Sequence, residues 1–232
     1  MKSISYPAYI VLLLVFSSCV TTKKFDAYVS AQYNDQVPEI TVKKKAGNVK
    51  VLPATQTSDK VSATTSHTKT IPLLFYWKID HRFDCELNKQ IGTANFSKAF
   101  NTASARSLDK VLNGQQLELT VEQAPSVFSM VDKTNIIWLV LYAVHWSKVY
   151  VEPDKKDLVV AYRFTQNDNT VKTGKITVHN KLDNQGLRFF QSWKSATSEH
   201  LAAYDQEIIA MTKEFVIKLE DELTQTAATA KE

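Results

Sequence analysis

The sequence predicts an α+β fold: an antiparallel sheet of about four to five strands with two helices packed on one face, following a signal peptide and a flexible N-terminal tether. Three observations carry this expectation. Phe75, Trp77, Ile79, His81, Phe83, Cys85 and Leu87 alternate with Tyr76, Lys78, Asp80, Arg82, Asp84 and Glu86, the period-two signature of a strand with one dry and one wet face. Shorter strand-like runs separated by turn residues fill positions 117–179. Finally, Leu201, Tyr204, Ile208, Met211, Phe215 and Leu219 recur at steps of three and four, as one stripe of a long helix does.

Composition sets the outer bounds. With 44% hydrophobic and 22% charged residues among 232, the chain is neither collagen-like nor wholly disordered. A net charge of +4 is too small for the concentrated basic face of a nucleic-acid binder, so no nucleic-acid partner is expected.

From the N-terminus, Lys2 precedes an apolar run at 8–16 (AYIVLLLVF), which is too short to span a bilayer, since that takes about 20 residues. It has the length of a secretory hydrophobic core, which makes 1–18 a signal peptide. Phe16-Ser17-Ser18-Cys19 resembles the lipobox of bacterial lipoproteins, with Phe16 where that family usually has Leu. The resemblance implies cleavage before Cys19, and a diacylglycerol and N-acyl chain on this residue as the only covalent addition, with no other cofactor. Several acyl chains make a stable membrane anchor. The alternative is a plain secretory signal that leaves Cys19 a free thiol. Val20-Thr21-Thr22-Lys23-Lys24 lacks the acidic residues of inner-membrane retention or surface export, so the resemblance implies the periplasmic face of the outer membrane, with the cell surface as the alternative. Cys85 then has no partner within the chain.

Residues 19–70 read as the lipidated N-terminus and tether. Phe25, Tyr28, Val29 and Tyr33 have helical spacing over a stretch too short to be stable alone. Ile40 and Val42 facing Val49 and Val51 suggest a small hairpin, and 55–70, rich in Ser and Thr, reads as a disordered linker.

The folded domain is expected over 71–223. After the alternating strand, Gly92-Thr93 opens a helix whose face carries Phe96, Phe100, Ala103, Ser107 and Val111, and Asn113-Gly114 stops it. Leu117, Leu119 and Val121 mark a strand ended by Pro125. Residues 135–152, with the run IIWLVLYAVHW, read as one central strand covered on both faces. Residues 153–157 turn the chain so that 158–166 returns beside that strand, and 170–179 follows with Gly174 at a bulge. Ser195, Thr197 and Ser198 offer caps for the last helix, which ends near Leu223, leaving a disordered tail at 224–232.

The element order of 71–223 resembles lipopolysaccharide-assembly lipoproteins and the auxiliary lipoproteins of lipid transporters. This implies a non-catalytic adaptor or binding module in envelope assembly or lipid transport, with a membrane contact through the anchor and an envelope protein as partner. A lipid- or small-molecule-binding lipoprotein is the second reading. The third is a hydrolase of envelope polymers using Asp80, Asp84 or His200.

No catalytic or metal site emerges from the motifs. His67, His81, His145, His179 and His200 are scattered, and none stands in a zinc spacing. His81 and Cys85 share a strand face but lie about 13 Å apart, too far for a thiolate–imidazole pair. Asp80 and Asp84 alternate with Lys78 and Arg82, as in a solvated ion-pair ladder, and His200 reads as an exposed helix-start residue. Arg188, Phe189, Phe190 and Trp193, between the last strand and the last helix, are the candidate partner or lipid contacts.

Overall fold

A computed structural model describes residues 20–40, 49–53, 58–104, 108, 112, 115–166 and 169–229. The expected signal peptide, Cys19, residues 41–48 of the expected hairpin and the expected stop at Asn113-Gly114 lie outside the described residues.

The α+β mixture holds, but there are three helices and two sheets rather than two helices on one face of a single sheet. In chain order they are α1 (Thr22–Gln32), β1 (Val49–Pro53), β2 (Ser62–Leu73), β3 (Tyr76–Leu87), α2 (Lys89–Ala103), β4 (Gln116–Gln123), β5 (Val127–Trp138), β6 (Ala143–Pro153), β7 (Leu158–Gln166), β8 (Asn169–Val178), β9 (Gln185–Gly186) and α3 (Trp193–Thr229). The four-stranded sheet runs β1-β4-β7-β8 and the five-stranded sheet β2-β3-β5-β6-β9. All neighbours are antiparallel except β1 and β4. Helix α1 touches β2, α2 touches β1, and α3 touches both β6 and β8, so the helices serve both sheets.

The expected tether is largely structured. Thr21 caps α1 by accepting from the Lys24 amide at 3.3 Å. Phe25 and Val29, one turn apart, are fully buried in the common core, so tertiary packing supplies the stability that eleven residues lack alone. The supposed linker contains β2, because Ser and Thr suit an edge strand whose outer side stays wet, and all twelve of its residues pair with β3. Val49 and Val51 belong to β1, which lies parallel to β4 instead of folding back as half of a hairpin.

Helix α2 starts earlier than Gly92-Thr93. Asn88 caps it, accepting from the Gln90 amide at 3.0 Å and donating to the Ser58 and Lys60 carbonyls. Gly92 sits inside the helix, where an added Cβ would lie 3.1 Å from both Ala124 Cβ and Tyr204 Oη. Helix α3 likewise begins before its expected caps, with the Ser192 hydroxyl accepting from the Ser195 amide, and it continues past Leu223 to Thr229.

Strand β7 does not return beside β6. Residues 153–157 carry the chain to the other sheet, where β7 pairs with β4 and β8. Nor is Gly174 a bulge, since the register shift falls between Phe164 and Thr165. Gly174 stands opposite Tyr162, whose ring lies where a Cβ would be, with ring carbons at 2.6 Å. The Tyr162 hydroxyl donates to Glu222 on α3, so the ring has little room to yield. Gly174→Ala is therefore expected to cost about 1–3 kcal/mol in urea unfolding. Unchanged stability would refute this role for Gly174.

Candidate docking surface at two hairpin tips

Beyond the reach of the helices, β2, β3, β5 and β6 continue as a four-stranded wing. Its register aligns rows of residues across the strands: Leu73, Tyr76, Ile137 and Val144; then Pro72, Trp77, Ile136 and His145; then Ile71, Lys78, Asn135 and Trp146. Two rows further toward the body stand Lys69, Asp80, Lys133 and Lys148. Below them the strands enter the core, where Phe83, Met130 and Val151 are buried.

The wing ends in two turns. One carries Leu74 and Phe75, the other residues 139–142. They meet, because the Trp138 amide donates to the Phe75 carbonyl at 2.8 Å and the Trp77 and Trp138 rings stand edge-to-face at 5.8 Å. The Leu139 amide closes its own turn onto the Tyr142 carbonyl at 2.7 Å. Val140 is 99% exposed and Leu141 92%, and Leu73, Leu74, Phe75, Trp138 and Tyr142 are also exposed. The run IIWLVLYAVHW is therefore a hairpin end and not a covered central strand: residues 139–142 reverse the chain before β6. Contiguous exposed apolar surface makes the two tips the candidate docking surface.

The contact residues expected from sequence divide. Phe189 and Phe190 are exposed, Phe190 at 95% and with φ 65°, a left-handed conformation uncommon for an aromatic residue. Arg188 is taken up by Glu199, with a 2.9 Å bond across the start of α3. Trp193 is half-buried: its ring lies 5.6 Å from Phe25 and 5.2 Å from Tyr28, and it lines a groove with Val20, Val149 and Leu187. The 188–191 turn follows β9 and Leu187, whose amide donates to the Val149 carbonyl, so this segment leaves β9 heading toward the wing.

The candidate acid–base residues are not brought together. Asp80 and Asp84 lie on the sheet face opposite Cys85, while His200 is buried at 2% exposure against Phe128 beneath the other face. The exposed helix-start His200 of the sequence is thus an interior residue, since α3 begins earlier and turns this position inward. Asp84 sits in a network with Arg82 (2.6 Å), Ser129 and, at 3.8 Å, His67, while Arg82 also reaches Glu152 at 2.6 Å. Burial raises the Asp84 carboxyl, but hydrogen bonds from Ser129 and Arg82 outweigh it and leave the group below its usual range. The Ser129 hydroxyl donates to this carboxylate rather than to an imidazole, which is a scaffold geometry and not that of an activated nucleophile. Burial pushes the Cys85 thiol up to about 12, leaving it unreactive near neutrality. Among the described residues no group of three His, Cys, Asp or Glu stands close enough to hold a metal ion, and no helix is long and apolar enough to cross a membrane.

Sequence reasoning missed the tips. The available signal was the pairing of two apolar clusters, Leu73-Leu74-Phe75 and the run after Asn135, each at one end of an alternating strand. No protein-family model, curated protein or solved structure matches this chain.

Proposed function

We propose that this chain is a non-catalytic binding module of the bacterial envelope, anchored through acyl chains on Cys19 at the periplasmic face of the outer membrane and serving envelope assembly or lipid transport. Its docking surface is the joined pair of hairpin tips. The observation that supports this reading is the concentration of exposed aliphatic and aromatic side chains, Leu73 to Phe75 and Trp138 to Tyr142, at one end of a sheet whose other end is buried. A folded domain gains nothing in stability from side chains that touch only water, so their concentration points to an occupant.

The test is photocrosslinking in intact cells. A crosslinker at Val140 is expected to form adducts with an envelope lipid or protein, whereas one at the exposed Lys213 on α3 is not. Equal yields at the two positions would sink the reading. A lipid-ligand reading has one feature in its favour, a groove of about 410 Å³ beside Val20, Val149 and Leu187.

A further inference from the structure

We propose that the two tips insert into one leaflet of an anionic lipid bilayer, a step that rests on the anchored, tip-docking reading above. Three features point to lipid as the occupant. The first is the order of side chains along the wing. Aliphatic residues lead (Leu74, Val140, Leu141), and Trp77, Trp138, Tyr142 and Trp146 come next; Lys78, in the Trp146 row, reaches back to Asp80 at 3.3 Å, and Asp80 shares the row behind with Lys69, Lys133 and Lys148. Hydrocarbon, interface and headgroup zones select side chains in that order: tryptophan and tyrosine settle at the interface, and lysine meets anionic headgroups.

The second feature is depth. Four residues separate the row of Lys133 from the row of Ile137, about 13 Å at a strand rise near 3.3 Å, and close to half of a hydrocarbon core of about 30 Å. The wing is thus long enough for one leaflet and too short to cross. Its free edges on β2 and β6 also forbid deep immersion, because open strand edges are not tolerated in hydrocarbon. Near the tips that liability is reduced. Pro72 on the β2 edge has no N–H to leave unpaired, the two turns bond to each other, and Asn135 accepts from the Tyr76 hydroxyl.

The third feature is where the anchor leaves the fold. Val20, the residue bonded to Cys19, lines a groove with His81, Asp132 and Val149, the row directly on the body side of Lys133 and Lys148. Val20 therefore stands next to the level at which the lysines would meet headgroups. The anchor and the tips address the same surface. Exposed Phe189 and Phe190 follow Leu187, which lines the same groove, and add a shallow contact there.

The experiment uses the chain purified from cell membranes, with its intact mass reporting acylation separately. It is reconstituted into protein-free vesicles of phosphatidylethanolamine and phosphatidylglycerol with brominated acyl chains, and tryptophan quenching is read. Trp77, Trp138 and Trp146 are expected to be quenched most, and Trp193, on the body side of the lysine row and against Phe25, least. Val140→Asp with Leu141→Asp should lower the inserted population more than about tenfold. The acyl chains should keep that variant on the vesicles, and the exposure of both positions should leave its melting temperature unchanged. Omitting phosphatidylglycerol should reduce the quenching, and equal quenching without it would remove the role given to the lysines. An acylated chain that floats with vesicles unquenched would overturn insertion, and a Val140 crosslink to one envelope protein would then identify the occupant as protein. A mass without acyl chains would instead overturn the anchoring reading, whatever the quenching.

Discussion

Phe25→Ala is expected to lower stability by about 3–5 kcal/mol, the usual range for emptying a buried phenylalanine site. The ring is fully buried, with neighbours Phe83 at 5.9 Å, Phe128 at 6.0 Å and Trp193 at 5.6 Å. It therefore joins α1 to the five-stranded sheet and to the start of α3, and no single neighbour can close the cavity. For a chain of this size the melting temperature should fall by roughly 6–20 °C. Lys23→Ala, at the solvent side of the same helix, should stay within about 0.5 kcal/mol. Thermal unfolding of the two variants decides the matter. If residues 20–40 were only a tether, Phe25→Ala would match Lys23→Ala.

The second large effect is a loss of stability in mild acid caused by His200. Burial lowers its imidazolium pKa to about 4 from the usual 6.5, and Nδ1 has no hydrogen-bond partner among the described residues. In the unfolded chain the ring takes up a proton near pH 6.5, and in the native protein only near pH 4. The stabilisation is therefore complete above pH 6.5 and disappears as the pH falls to 4. A shift of this size corresponds to about 3 kcal/mol. Asp84 and Glu214, both held below their usual values, lose their contributions at still lower pH, while Asp205, raised by burial, acts in the opposite sense. The difference between wild type and His200→Phe separates His200 from these carboxylates. The variant should lie within about 1.5 kcal/mol of wild type at pH 7, because an apolar ring of similar size replaces an unsatisfied one. Its denaturant midpoint should then fall less steeply between pH 6.5 and 4. Parallel pH profiles would dismiss His200 as the source.

Some elements were legible because their information is local. The alternation that predicts β3 runs over consecutive residues, and it places Phe83, Cys85 and Leu87 inside, where they are buried, whereas Phe75 and Trp77 of the same expected dry face are exposed on the wing. The stripe of Leu201, Ile208, Met211, Phe215 and Leu219 needs only helical periodicity, and all five are buried. Phe189 and Phe190, for which the sequence left exposure and packing under the helix both open, stand in a connection outside any periodic pattern and are exposed.

Other elements depend on partners far away in the chain. Composition alone makes 62–70 look like a linker, and only pairing with β3 turns it into a strand. The run after Asn135 has the same hydrophobicity whether it is covered by helices or reversed at a hairpin end. What decides is that the helices stop short of the wing, leaving residues 143–148 exposed. His200 departs from its expected exposure for a similar reason: helix α3 begins at Trp193, so its first turn packs on Phe25 and its second buries the histidine.

By itself the sequence determined the α+β character, the alternation of β3 and the stripe of the long helix, since side-chain periodicity along a strand or helix is set by backbone geometry. Only the tertiary structure decided the division into two sheets, the docking of α1 and the meeting of the two apolar tips. Those features rest on contacts between residues tens of positions apart, and local periodicity carries no record of such partners.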